Sequence, residues 1–461
     1  MDEERILPET GRIHFIGVGG VSMSALAEIL LKKGRCVSGS DMNYSDEIKK
    51  LEKFGLEFLG NQNAENVKNA AAVIYTMAVH DDNPEMAEAK KLGIPILRRS
   101  QLLGAIMKHY PRSAAVAGTH GKTTVTSMLS YIFEKTNADP TILVGADLDI
   151  IKGNVKTGES EYFIAEACEY HRSFLDFRPY CEVILNVEPD HLDYYKDKDD
   201  YHSAYRDFLK RADKDGFALL CADDLDLMAM RGEAPCRIFT FGVKNQTADF
   251  SAHGISVSRN GIKYTLYYRK EKICDVEIPV FGKHNVSNSA AAIGCAYLLG
   301  VPAEEAAKAL ADFKGAGRRF EYRGKVNGAD VYDDYAHHPT EIAATLDAVS
   351  EIPHGRTICI FQPHTYSRTK EFFDDFAENL AKTDIPVLAD IYAAREKDDG
   401  SINSEMLQKE ITEKHGKTAY YFDSFEKIVK FVKENAASDD IVIVMGAGNI
   451  VNITKEIVTN E

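Results

Sequence analysis

No stretch of this sequence stays apolar long enough to cross a bilayer, which excludes a helical membrane protein. Positive charge is also scarce. The 461 residues carry 55 Lys and Arg against 71 Asp and Glu, a formal net charge of -16. That balance excludes broad contact with nucleic acid or an anionic membrane, since both need a net basic face. Small anions remain admissible, because a few backbone N–H groups and cations can hold them. The opening "MDEERILPET" has no apolar core, so no signal peptide is expected. The eight cysteines form no Cys-x-x-Cys pair and read as free thiols of a reducing cytoplasm. Internal repeats and low-complexity tracts are missing too.

What is present is an alternation of strands and helices. "IHFIG" (13–17) and "CVSGSD" (36–41) read as strands around the helix "SMSALAEILLKKG" (22–34), and "AAVIYT" and "IPIL" continue the series. This pattern predicts a parallel sheet covered by helices. "HYPRS" (109–113) reads as a linker. A second series follows with "SAAVAG", "KTTVTSMLSYIFEK", "YFIAEA" and "EVILNV". Residues 249–280 then alternate, carry an Asn260-Gly261 turn signal and read as an antiparallel β insertion. A third series contains "ADVYDDYA", "RTICIFQPH", "IPVLADIY" and "DIVIVMGAG". The expectation is three α/β domains in line, with breaks near 111 and 321.

Several strand-to-helix turns carry candidate chemistry. In "GVGGVSMS" (17–24), Gly17, Gly19 and Gly20 let an anion approach a helix N-terminus, and Asp41 could accept from a ribose hydroxyl. Ser22 stands where a dinucleotide fingerprint has its last glycine, so NAD and a nucleotide diphosphate fit equally well. "GTHGKTT" (118–124) looks like a phosphate loop shortened to two residues, Thr119 and His120, between Gly118 and Gly121. Lys122 suits the terminal phosphates and Thr123 suits Mg2+. A glycine-rich helix start with an exposed lysine is the competing reading, and it leaves Gly-Lys-Thr-Thr unexplained.

Glu166 in "EACEYHRSF" ends a strand, where a carboxylate suits Mg2+, although alone it would read as a surface acid. "NVEPDHLDYY" adds Glu188, Asp190, His191 and Asp193, a metal-like group in which Asp190 could instead cap a turn. His284, Asn285 and Asn288 sit at a helix start, where capping competes with reading a purine edge. Arg318 and Arg319 either reach phosphates or stay solvated. Asp333, Asp334, Tyr335, His337 and His338 precede Pro339, and His364 and Arg368 lie in "FQPHTYSRT". "MGAGNI" (445–450) reads as tight packing of the last helix on the sheet.

Taken in order, these motifs resemble the muramyl ligase family, the ATP-dependent amide ligases of peptidoglycan precursor synthesis, over nearly the whole chain. The resemblance implies a Rossmann-like domain over 1–110 for the UDP part of a sugar nucleotide. It implies a central phosphate-loop α/β domain with a β insertion over 111–321 for ATP and Mg2+. A C-terminal Rossmann-like domain over 322–461 would close over the site and deliver the amino acid. The implied reaction joins L-alanine to the carboxylate of UDP-N-acetylmuramate through an acyl phosphate.

Residue by residue, the resemblance assigns Gly17, Gly19, Gly20, Ser22, Met23, Ser24, Asp41 and His120 to the UDP-sugar. It assigns Gly118, Thr119, His120, Gly121, Lys122, Thr123 and Thr124 to the ATP phosphates. His284 and Asn288 would lie near adenine, with Arg319 and Asp334 reaching the nucleotide. Thr123, Glu166 and His191 would hold the metal. Tyr335, His337 and Arg368 would surround the amino acid. Lys122, Glu166, His191 and His337 would be catalytic.

Two positions depart from the family pattern. Thr365 stands where many relatives have a second arginine, and Cys168-Glu169-Tyr170 stands where many read Asp-Glu-Ser. The change at 168 leaves Glu169 or water to complete the surroundings of the metal. Several relatives also use a carbamoylated lysine, and no lysine is assigned that role here. A sister ligase of recycled tripeptides, an NAD or nucleotide-sugar oxidoreductase, and a non-catalytic nucleotide switch are the other readings. Monomer and homodimer both stay open.

Overall fold

The computed structural model describes residues 7–458 except 81, 192, 193, 259, 260, 316 and 395, so Asp193 and Asn260 lie outside the described residues. Among the described residues no helix is long and apolar enough to cross a membrane. The chain packs as two compact units. One holds the residues up to Ser251 together with Ala291–Ala306, and the other holds Ala252–Ala290 and the residues from Ala307.

The first unit opens with a five-stranded parallel sheet. Its order is Glu57–Phe58, Val37–Ser40, Arg12–Ile16, Ala70–Tyr75, Ile96–Arg98. Ile13, Phe15 and Ile16 are buried, as a parallel strand covered on both faces requires, with the buried His14 as the one polar residue among them. The chain winds outward from Arg12–Ile16 in one direction, then returns to its other side with Ala70–Tyr75. The order reverses there, and crevices for ligands form at the carboxyl ends of strands beside such a reversal. Gly17–Gly20 lies at that end.

A polar network is buried within this sheet. His14 and Ser38 share a hydrogen bond of 2.9 Å, and Glu85 accepts from Ser40 Oγ and Asn66 Nδ2, both at 2.7 Å. Burial pushes the Glu85 carboxyl up, but the bonds from His14, Ser40 and Asn66 outweigh it and hold it below its ordinary range. A carboxyl with a depressed folded-state pKa stabilises fully above its unfolded value, about 4.3, and less as pH falls through the folded value. Glu85→Gln should therefore cost about 1–3 kcal/mol in urea unfolding at pH 7. The gap should narrow below about pH 4; a gap independent of pH would contradict this.

The second sheet runs Arg237–Gly242, Phe217–Cys221, Cys181–Ile184, Arg112–Ala117, Tyr162–Glu166, Thr141–Leu148, Gly153–Lys156. All pairs are parallel except the last. The central strand Arg112–Ala117 is flanked by Tyr162–Glu166 and Cys181–Ile184, with Val116 opposite Glu166 and Ala117 opposite Ile184. The loops after these three strands therefore emerge side by side. The linker expected over 109–113 is shorter than that. The preceding helix ends at Met107 and the strand begins at Arg112, which donates to Tyr162 Oη and Leu299 O.

In the second unit the β insertion includes the antiparallel pair Gly261–Tyr268 and Glu271–Ile278. A six-stranded sheet follows, in the order Glu321–Val326, Ala329–Asp334, Ile441–Met445, Thr357–Phe361, Ile385–Leu388, Tyr420–Tyr421. Only its first pair is antiparallel. Cys359, Phe361, Ile443 and Met445 pack on one face, and Ile358, Ile360, Val442 and Val444 on the other. Asp334 and Phe361 both align with Met445, so the loops holding Tyr335–His338, Gln362–Arg368 and Gly446–Asn449 also leave one edge together.

Candidate active site

The shortened loop of the first unit is held open by its neighbour. Gly118 has φ +137°, and a Cβ there would stand 3.0 Å from Leu185 Cβ and 3.2 Å from Asn186 N. Asn186 pairs with His120 as a second backbone would: its Oδ1 accepts from His120 N at 2.8 Å and its Nδ2 donates to His120 O at 3.0 Å. Thr119 Oγ1 donates to Glu188 O at 2.6 Å. His120 Nε2 lies 3.1 Å from Glu188 Oε2. Gly121, at φ +88°, then starts the helix Lys122–Lys135, whose first turn contains Thr123 and Thr124. The N–H groups of a first helical turn have no partners within the helix, which suits an anion placed there.

Lys122 does not extend into solvent. Its Nζ donates to Gly118 O, to Thr119 O at 3.1 Å and to Glu169 Oε1 at 3.0 Å. Burial pulls its pKa down, but the carboxylates of Glu169 and Glu166 outweigh this and keep the ammonium above its ordinary value. Burial, with Glu169 beside it, pushes the Cys168 thiol up to about 11, so it stays neutral and does not replace an acid. Glu169, with a side chain 1% exposed, supplies the charge. Tyr195 Oη donates to Glu169 O and fixes that backbone.

Glu166 emerges beside this loop, and its Oε1 accepts from Gly145 N at 2.6 Å. His191, at φ +57°, has its Nε2 3.7 Å from Glu169 Oε1 and its ring 4.5 Å from that of Tyr170. Asp190 Oδ1 accepts from His191 N at 2.7 Å, the local turn role weighed for it. Lys122, Glu166 and His191 thus belong to three adjacent loops. A hydroxyl, a carboxylate and an imidazole, from Thr123, Glu166 and His191, are a donor set that suits a hard divalent cation.

At the five-stranded sheet, Gly17 has φ +77° and Gly20 precedes the helix Val21–Lys32. Asp41 Oδ2 accepts from Gly19 N at 2.9 Å, and Oδ1 from Asn43 N at 3.1 Å. The carboxylate that the sequence offered to a ribose thus braces the glycine turn. Ser22 is exposed, whereas Met23 and Ser24 are buried in the first turn of that helix.

In the second unit His284 begins the helix His284–Leu298 and is exposed there. Asn288 Nδ2 donates to Asn285 Oδ1 at 3.0 Å, and Asn285 Nδ2 to Phe281 O at 2.7 Å. The guanidiniums of Arg318 and Arg319 lie 4.9 and 5.0 Å from the Tyr335 ring centroid. Asp334 accepts from Phe320 N and Ala336 N, each at 2.7 Å, and burial pushes its carboxyl up to about 6.

The two histidines of "AHHP" have different tasks. His338 caps the helix Pro339–Ser350 through Nδ1. His337 Nδ1 lies 3.0 Å from Tyr335 O, so in the neutral ring the hydrogen sits on Nδ1 and Nε2 is the basic nitrogen. Arg368 Nη1 lies 3.1 Å from His364 Nδ1. Sequence reading missed Asn186, Gly145 and Tyr195. Their contacts span 66, 21 and 26 residues, and only the strand order brings them near.

Three family descriptions match in succession. They are the Mur ligase family catalytic domain over 12–111, the Mur ligase middle domain over 116–296, and the Mur ligase glutamate ligase domain over 318–448. The chain belongs to the Mur ligase family. It is 48% identical over 443 residues, 96% of each chain, to the UDP-N-acetylmuramate–L-alanine ligase of Caldanaerobacter subterraneus subsp. tengcongensis. It is 47% identical to the ligase of the same name from Acetivibrio thermocellus, over 96% of this chain and 94% of the relative. Among solved structures, the UDP-N-acetylmuramate-alanine ligase of Thermotoga maritima superposes with a TM-score of 0.80 at 28% identity, covering 97% of this chain and 98% of that one.

Proposed function

We propose that this protein joins L-alanine to the carboxylate of UDP-N-acetylmuramate, converting ATP to ADP and phosphate. Near-full-length relatedness to L-alanine ligases carries this reading, and the loops at the strand ends supply chemistry for it. Family membership and a built phosphate loop set aside the oxidoreductase and switch readings. The murein peptide ligase of Psychrobacter arcticus shares the fold, at 24% identity and a TM-score of 0.70, and does not favour the tripeptide reading.

The division of labour follows the three segments: 1–110 for the UDP-sugar, 111–321 for ATP and Mg2+, 322–461 for the amino acid. Thr123, Glu166 and His191 would hold Mg2+, which when bound would neutralise phosphate oxygens. Lys122 and the N–H groups of 118–124 hold the ATP phosphates. The substrate carboxylate oxygen attacks the γ-phosphorus and ADP leaves, giving an acyl phosphate. The alanine amine then attacks the acyl carbon and phosphate departs with one former carboxylate oxygen. Arg368 binds the alanine carboxylate, and His337 Nε2 accepts the proton the amine must lose. The cysteines described are all free thiols, which suits a cytoplasmic site of action.

UDP-N-acetylmuramate labelled with 18O in its carboxylate should pass one label to the released phosphate; unlabelled phosphate would overturn the acyl-phosphate route. His337→Gln should lower turnover by about 10²-fold and flatten its pH dependence. An unchanged pH–rate profile would remove His337 from proton transfer.

A further inference from the structure

We infer that His364 is the positioning residue that aims Arg368 at the substrate carboxylate; this rests on the reading of Arg368 given above. A guanidinium can only donate, so at 3.1 Å from Arg368 Nη1 the His364 Nδ1 must accept. That contact fixes the ring as the tautomer with its hydrogen on Nε2. The ring cannot swing away freely. It stacks on Tyr392 at 5.7 Å and 24°, and meets His337 edge-on at 5.7 Å and 66°.

The backbone around His364 is braced from the segment after the strand Ile385–Leu388. His364 and Tyr392 form a parallel bridge. Tyr392 N donates to Pro363 O and Tyr392 O accepts from Thr365 N, both at 2.9 Å. Glu396 accepts from Ser367 N at 2.9 Å and from Ser367 Oγ. Between these ties Thr365 has φ 66° and ψ 148°, a conformation that disfavours a β-branched residue. Such a residue persists only where its surroundings over-determine it, and such places gather at ligand clamps. The bend at Thr365 lets His364, outside the helix Tyr366–Glu371, meet Arg368 within it. The long flexible arginine is thereby ordered before substrate arrives, which lowers the entropy cost of binding.

The test is the KM for L-alanine and kcat, measured by phosphate release with UDP-N-acetylmuramate, ATP and Mg2+, for three variants. Arg368→Ala should raise the alanine KM by about 10²-fold, the scale of a lost charge-assisted carboxylate contact. His364→Phe should raise it about 10-fold, with kcat at saturating alanine and the KM for ATP nearly unchanged. His364→Asn, whose Oδ1 can accept where Nδ1 did, should recover most of the loss. An unchanged KM in His364→Phe beside a raised KM in Arg368→Ala would overturn the positioning role alone. An unchanged KM in Arg368→Ala would overturn the reading of Arg368 and this inference with it. Should His364→Phe fail to fold, 15N shifts of His364 in the unmodified protein decide: an unprotonated Nδ1 supports the inference, and a hydrogen on Nδ1 overturns it.

Discussion

Lys122→Ala is expected to reduce turnover by about 10²-fold or more, the scale seen when one preorganised stabiliser of transferring charge is removed. Lys122 is the cation built into the loop, and the carboxylates of Glu169 and Glu166 hold its charge in place against burial. Its contacts predict a second effect. Glu169 is buried, and its carboxylate lies 2.9 Å from Lys122 Nζ. Removing the lysine leaves a buried carboxylate without its counter-ion, which costs on the order of 3 kcal/mol. Lys122→Ala should therefore unfold at lower urea as well as turn over slowly. Adding Glu169→Gln should restore much of the stability and none of the turnover. Phosphate release and urea unfolding on the single and double variants separate the two effects. Activity of Lys122→Ala within a few-fold of the parent would refute the phosphate role.

Gly145→Ala is expected to weaken divalent-metal binding by about 10-fold or more, the range for losing a partner that orients a metal ligand. Gly145 donates its N–H to Glu166 Oε1, and an added Cβ would stand 2.9 Å from that oxygen and 3.1 Å from Oε2. The carboxylate must then turn away. The position is exposed, so the fold should survive. Mn2+ titration followed by electron paramagnetic resonance reads the loss directly, without turnover. Unaltered Mn2+ affinity in a folded Gly145→Ala would remove Glu166 from the metal site.

Much of this architecture was legible in the sequence because parallel strands covered on both faces must be continuously apolar. "SAAVAG", "EVILNV" and "DIVIVMGAG" announce themselves for that reason. The helix after the short loop was legible to the residue, since Gly121 marks its start and neither Gly nor Pro occurs between Lys122 and Lys135. The site was legible only where one loop carries its own chemistry. Lys122, Glu166 and His191 follow three strands that are distant in sequence, and composition does not say that those strands are neighbours. Asn186 reads as a generic loop residue until its amide is seen pairing with His120. The doubled histidine at 337 and 338 was ambiguous because either ring can cap the helix at Pro339, and only the geometry gives that task to His338. The backbone of Thr365 was hidden altogether, since nothing in a β-branched residue signals a positive φ.

The most direct test of the central claim is phosphate release from ATP and Mg2+ with UDP-N-acetylmuramate and, in separate reactions, L-alanine, glycine, L-serine and the peptidoglycan tripeptide. Release is expected only when both acceptors are present, fastest with L-alanine, with a product heavier than UDP-N-acetylmuramate by one alanine residue. Release with the tripeptide but not with alanine, or equal release with no amino acid, would contradict that claim.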